Sequence, residues 1–186
     1  MEVGGSHNQL SAGIRNPRIV SVGQQFSAQN YGLIFFYSYA QHYYEHLPIL
    51  DRVTSISEFH DSNEFLFWTT IRIALYHNPS YGQLFVLLSQ GYQNLLAARV
   101  LGPIQDFRTL QAIILICYWP TSGKRQSDDP SWQYCGIALN KAMQMGIDQP
   151  GPGRHLAPFG GRSNAHQMSV YTRQMTWLAC FAISSM

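Results

Sequence analysis

The chain is predicted to be all-α, an irregular bundle of about six helices. Apolar residues recur at helical spacing in one segment after another, and helix caps and stops punctuate the segments. No two alternating stretches are joined by a two-residue turn of the hairpin kind, and no fixed-period repeat indicates a solenoid. An irregular helical bundle satisfies all of these observations.

The elements follow in order. Residues 1–22, rich in Gly, Ser, Asn and Gln, have no periodicity and are expected to form a flexible N-terminal segment; residues 23–186 form the helical part. A helix opens at Gln24, carries Phe26, Tyr31, Leu33, Ile34, Phe35, Tyr37, Tyr39, Tyr43 and Tyr44, and is stopped by Leu47-Pro48. Gly32 weakens it by up to about 1 kcal/mol relative to Ala. The second helix, residues 63–77, has apolar residues on most sides and is expected to be buried; Ser62 or Asp61 can cap it and Asn78-Pro79 ends it. The third begins at Ser80 or Tyr81, runs to Leu101 with Leu84, Leu87, Leu88, Leu95 and Leu96, and stops at Gly102-Pro103. Asp106 then caps a segment with Leu110, Ile113, Ile114, Leu115, Ile116 and Cys117, bounded by Trp119-Pro120. A buried strand is the rival reading of such an apolar run. Helix is preferred because Asp106, Thr109, Gln111 and Ala112 extend it upstream without alternation.

Residues 121–128 read as an exposed loop. Asp128-Asp129-Pro130 is the clearest start signal, with Asp129 accepting from first-turn N–H groups and Pro130 at the first helical position. The helix it starts places Trp132, Cys135, Gly136, Leu139, Met143 and Ile147 on one stripe, and Gly146 ends or loosens it. Residues 149–162 are too rich in Gly and Pro to be regular. A last helix from Ser163 or Asn164 carries Val170, Met175, Trp177, Leu178, Cys180, Phe181 and Ile183 and meets no stop signal before Met186.

Composition narrows the classes. The 186 residues are 46% hydrophobic and 12% charged, which excludes a disordered tail and leaves a core to bury. The formal net charge is +2 and the arginines are scattered, so charge alone does not make a nucleic-acid arm. Cys117, Cys135 and Cys180 lie far apart in sequence and are odd in number, so buried reduced thiols are expected instead of a secreted disulfide framework. No apolar signal region opens the chain, Pro79 spoils the single Asn-x-Ser pattern, and the longest apolar run, from Ala112 to Trp119, is well short of the roughly 20 residues a bilayer requires. An intracellular, soluble chain with no membrane partner is expected.

Few motifs carry chemistry. His42-Tyr43-Tyr44-Glu45-His46 fits the H-x-x-E-H pattern of inverted zinc peptidases, since two histidines four apart on a helix share a face and Glu45 lies between them. A later glutamate ligand is wanted, and none follows Glu64; the competing reading is a solvated helix terminus on which histidine suits the dipole. Ser122-Gly123-Lys124-Arg125 lacks the early glycine and the final Ser/Thr of a phosphate-binding loop. Apolar surroundings make the thiols packing residues instead of nucleophiles. Tyr39, Tyr43, Trp68, Trp119, Trp132 and Trp177 are candidates for a ligand or partner pocket, because Tyr and Trp join an apolar body to a polar tip; packing within the bundle is the alternative.

Several segments, in order, resemble the middle homology or regulatory domain of fungal zinc-cluster (Zn2Cys6) transcription factors. They are Tyr43-Tyr44-Glu45-His46-Leu47-Pro48-Ile49-Leu50-Asp51; Ser62-Asn63-Glu64-Phe65-Leu66-Phe67-Trp68-Thr69-Thr70-Ile71; and Leu110 through Pro120. Asp129-Pro130-Ser131-Trp132 through Leu139, Met143-Gln144-Met145-Gly146-Ile147 and Arg173-Gln174-Met175-Thr176-Trp177 complete the set. The subgroup most resembled is that of weak-acid-response and leucine-pathway regulators. The resemblance implies an all-helical, non-catalytic domain that modulates RNA polymerase II transcription in the nucleus. It further implies contact with the transcription machinery or with the remainder of the regulatory domain, and a small-molecule effector. The family's six-cysteine DNA-binding module has no counterpart here, so neither a resident zinc cofactor nor direct DNA binding is expected. The chain is expected to be a partial middle region from a truncated or split gene product. Two alternatives remain: a helical interaction module using the aromatic face, and a zinc hydrolase using His42, Glu45 and His46.

Overall fold

One helix, predicted from its Asp106 cap, is packed against three others. The computed structural model describes residues 28–76, 78–102, 106–121, 129–148 and 169–185. Among these residues there are seven α-helices and no strand: α1 (Ala28–His42), α2 (Ile56–Ser62), α3 (Glu64–Tyr76), α4 (Gly82–Leu101), α5 (Phe107–Tyr118), α6 (Ser131–Gln144) and α7 (Val170–Ser184), with a 3-10 turn at Pro79–Tyr81 before α4. The all-α expectation holds. The flexible segment at 1–22 and the loops at 122–128 and 149–162 lie outside the described residues.

The strand alternative for residues 107–118 is removed. Asp106 Oδ1 accepts from the Thr109 N–H at 2.8 Å, and Leu110, Ala112, Ile113, Ile114 and Leu115 have no exposed surface. A segment apolar on every side is buried on every side. It packs against α3 on one flank and against α6 and α7 on the other, while α3 in turn contacts α1, α2 and α4. The bundle is thus two groups of helices sharing α5 and α3 as inner members.

Several boundaries differ from expectation for local reasons. The first helix ends at His42, before Leu47-Pro48. The N–H groups of Tyr43 and Tyr44 both donate to the Tyr39 carbonyl, which widens the last turn and diverts the chain into the turn at 43–46. The helix α2 was not foreseen, although Ser55-Ile56-Ser57-Glu58 is the beginning of a capping box and Ser55 Oγ accepts from the Glu58 N–H. The cap of α3 is Asn63 in place of Ser62 or Asp61: its Oδ1 accepts from the Leu66 N–H at 2.7 Å, while Ser62 donates back to the Phe59 carbonyl. Asp129 does accept at the start of α6, from the Ser131 N–H and hydroxyl, one residue later than the Pro130 register implied.

Gly146 ends α6 at φ 64°, a left-handed conformation that costs glycine nothing. Gly102 is required by contact instead, since a Cβ there would stand 2.8 Å from the Ala98 carbonyl oxygen. The last helix is capped by Ser169, whose Oγ accepts from the Thr172 N–H, and ends at Ser184 short of the chain terminus. Its foreseen start at Ser163 or Asn164 lies outside the described residues.

The stripe expected on α6 is turned. Trp132 is 69% exposed and Met143 48%, whereas Ala138 and Ala142 are fully buried. Small residues at those positions allow α6 to lie close to its neighbours α5 and α7. The buried side of α7 is also unlike its most apolar one: Thr172, Arg173, Thr176, Ala179, Cys180 and Ile183 face inward, while Val170, Tyr171, Leu178 and Phe181 are exposed.

Leu110→Ala should cost about 2–5 kcal/mol in chemical denaturation, because the cavity lies where every neighbour is already packed. Leu101→Ala, at 86% exposure, should change stability by no more than about 0.5 kcal/mol. Equal effects would mean that α5 is not the inner helix.

Candidate functional site

The H-x-x-E-H segment is placed at the end of α1. His42 is the last helical residue, Glu45 and His46 fall in the following turn, and all three are exposed. The shared-face argument required the helix to continue for one more turn. Among the described residues no three His, Cys, Asp or Glu side chains are grouped so as to hold a metal ion.

The six aromatic candidates separate. Tyr39, Tyr43 and Trp119 come together, with Tyr39 stacked on Tyr43 at 5.8 Å and Trp119 edge-on to both at 6.2 and 5.5 Å. Tyr118 extends the group by packing on Trp119 at 4.8 Å. The Tyr39 hydroxyl is buried without a hydrogen-bond partner, and burial first, then the nearby Tyr44, pushes its pKa upward. Trp132 stands exposed on α6, and Trp177 is half-buried with its ring edge-on to Phe181 at 5.1 Å.

Trp68 belongs to a separate cleft between α3 and α4, lined with Ile71, Arg72, Leu75, Phe85, Leu88 and Tyr92. The Arg72 guanidinium lies 4.4 Å from the Phe85 ring centroid and 4.8 Å from that of Tyr92. It donates from Nη1 to Ser89 Oγ at 3.2 Å and from Nη2 to Thr121 Oγ1 at 3.1 Å. Burial pulls its pKa down, against the opposing influence of Tyr92 and Tyr76. The Tyr92 hydroxyl meets Thr69 Oγ1 at 2.9 Å; burial raises its pKa, opposed by that hydrogen bond and by Arg72. Sequence reasoning did not single out Arg72. The signal was there, because it is the one basic residue in the largely apolar α3.

Other polar side chains hold connectors. Gln111 Nε2 donates to the Ile49 carbonyl and Thr172 Oγ1 to Asp51 Oδ1, so the segment between α1 and α2 is tied to α5 and α7. Asn63 Nδ2 reaches Asp106 Oδ1 at 2.9 Å and Thr109 Oγ1 at 3.0 Å. Arg173 donates to the Gly146 carbonyl at 2.7 Å.

The cysteines, far apart in sequence, sit on three helices that pack together, and they influence one another. Cys117 is buried on α5, Cys180 is buried on α7, Cys135 is half-buried on α6, and all three are free thiols. Cys117 Sγ donates to the Ser131 carbonyl at 3.6 Å. Burial, then the neighbouring Cys135, pushes the Cys180 thiol from the ordinary 9.0 up to about 12. Burial likewise raises Cys117, with Cys135, Asp129 and Cys180 adding to it.

Fold and side chains together define a helical bundle in which several polar side chains join helices to one another and to connectors. Curated proteins similar to it are fungal transcription regulators. Regulatory protein LEU3 of Saccharomyces cerevisiae is 23% identical over 164 residues, covering 80% of this chain and 18% of its own length. Transcriptional regulatory protein SEF1 of Candida albicans is 28% identical over 143 residues, covering 73% of this chain and 15% of its own. The putative transcription factor SEF1 of Kluyveromyces lactis is 26% identical over 141 residues, covering 73% and 12%. The chain therefore spans less than a fifth of the length of these relatives. No protein-family model matches it, and no solved structure does. The similarities bear out the resemblance to a regulatory region of fungal zinc-cluster transcription factors. Among the described residues no helix is long and apolar enough to cross a membrane.

A colorimetric thiol reagent should modify Cys135 first, with Cys117 and Cys180 reacting only as the bundle opens. A thiol whose folded pKa is raised keeps its proton in the native state while the unfolded state ionises. Stability due to Cys180 is therefore complete below pH 9 and is lost as pH rises toward 12. Cys180→Ala should flatten that alkaline decline, and equal modification rates for all three thiols at neutral pH would contradict the packing.

Proposed function

We propose that this chain is a non-catalytic regulatory region of a fungal zinc-cluster transcription factor, modulating RNA polymerase II transcription in the nucleus. The observation that carries the reading is its similarity, over about three quarters of its residues, to LEU3 and SEF1, proteins named as transcription regulators. The fold is in keeping with it. An inner helix buried from Thr109 to Leu115 and polar residues that tie connectors to it and to α7 make a scaffold able to present a surface or to hold a neighbouring segment.

On this reading the chain does not contact DNA specifically by itself. It holds three cysteines, all on packed helices, where the family's DNA-reading module uses six in a short segment. It carries no zinc of its own, His42, Glu45 and His46 are solvated polar residues, and its partners are the rest of a regulatory domain or the transcription machinery.

The test is a reporter assay in yeast. The chain is placed between a heterologous DNA-binding module and an activating segment, and compared with a spacer of equal length. Reporter output should change several-fold, and Leu110→Asp, which breaks the inner helix, should return it to the spacer's value. Output equal to the spacer's, with the inserted chain shown to be folded, would overturn the reading.

A further inference from the structure

The outer side of α6 carries an apolar stripe. At about 100° per residue, Trp132, Gly136, Leu139 and Met143 fall within one narrow sector of the helix, turned away from the inward positions Ala138 and Ala142. Trp132 and Met143 are about half exposed or more, and Leu139 is half-buried. The neighbouring helix extends the patch. Arg173, near the start of α7, donates to the Gly146 carbonyl just past α6, while Cys180, near its end, lies close to Cys135 at the start of α6, so the two helices run antiparallel. The side of α7 that meets α6 continues outward to Val170, Trp177 and Phe181, and Val170 and Phe181 are more than half exposed.

The patch is large enough to matter and carries no charge. Since an aromatic side chain can bury roughly 150–250 Å², Trp132, Met143, Val170 and Phe181 together present on the order of 400–500 Å², over half of the roughly 800 Å² that each partner gives to a stable interface. Lys141 and Arg173 are the charged residues of α6 and α7; Lys141 lies on the opposite side of α6 from the stripe and bonds Gln144, and Arg173 is turned inward. A second copy of such a face brings no like charges together.

The order of large and small residues identifies the occupant. Two copies of α6 laid antiparallel about a two-fold axis midway between Gly136 and Leu139 set Trp132 of each against Met143 of the other, and Leu139 of each against Gly136 of the other, because both pairs are centred on the same point of the helix. Sulfur and ring make a favourable contact, and glycine admits a leucine where a larger residue would hold the helices apart. Gly136 has no such role within one chain: a Cβ there would meet nothing within 4 Å, although glycine in a helix interior is unfavourable relative to alanine.

We propose that this face of α6, flanked by α7, is an interface between two copies of the chain, paired antiparallel through Trp132, Gly136, Leu139 and Met143. The pairing stands whether or not the chain acts in transcription.

The experiment is sedimentation equilibrium of the full chain over a series of concentrations. The mass should rise reversibly from that of one chain to that of two, and no further. Gly136→Gln fills space that is open in a single chain and replaces a poor helix residue with a good one. It should raise the dissociation constant several-fold while the thermal midpoint of the dilute chain stays the same or rises. Trp132→Ala, at an exposed position, should weaken pairing similarly, and Val86→Ala, equally exposed on α4, should leave it unchanged. A single-chain mass at every concentration, or pairing that neither Gly136→Gln nor Trp132→Ala weakens, would overturn the proposal and give the stripe to another segment of the chain or to a different protein.

Discussion

The structure depends on the burial of the middle of α5, from Thr109 to Leu115. Leu110 and Ala112 to Leu115 have no exposed surface, and the helix is contacted by α3, α6 and α7. At roughly 25 cal/mol per Å² of apolar surface removed from water, a helix apolar all round gains stability only when partners cover every face. That condition dictates the arrangement of the rest: α3 on one flank, α6 and α7 on the other, and the remaining helices packed on α3.

A wholly apolar inner helix would leave register weakly specified, and polar side chains supply what packing does not. Gln111 reaches from α5 to the Ile49 carbonyl, Asn63 joins the junction of α2 and α3 to Asp106 and Thr109, and Thr172 and Arg173 anchor α7 to Asp51 and Gly146. Each bond ends on a connector or a helix terminus, where backbone groups need partners. Such bonds penalise a slipped helix more than they stabilise a correct one, because sliding by a turn strands a buried donor. This is the physical character of a scaffold, and it agrees with a chain whose relatives are named as regulators.

Much of the helical framework was legible because its signals are local. The Asp106 cap, the Asn78-Pro79 stop, Gly102 and Gly146 each act within a turn of where they stand. The cap at Ser55 was equally local and was overlooked because α2 is too short to show periodicity. The candidate site was far less legible. Tyr39, Tyr43 and Trp119 meet only because α1 and the end of α5 are brought together through the bundle. Arg72 acquires its surroundings from Phe85, Ser89 and Tyr92 on α4 and from Thr121 beyond α5.

The amino-acid sequence by itself determined the class of secondary structure, where most helices stop, and that residues 107–118 must be hidden from water, since caps, prolines and unbroken apolar runs act over a few residues. Only the tertiary structure decided which side of α6 and α7 faces inward, that three cysteines share one neighbourhood, and that Arg72 packs on the rings of Phe85 and Tyr92. The reason is geometric. A helix presents several faces of comparable hydrophobicity, and the one it buries is chosen by how closely small residues such as Ala138 and Ala142 let a neighbour approach.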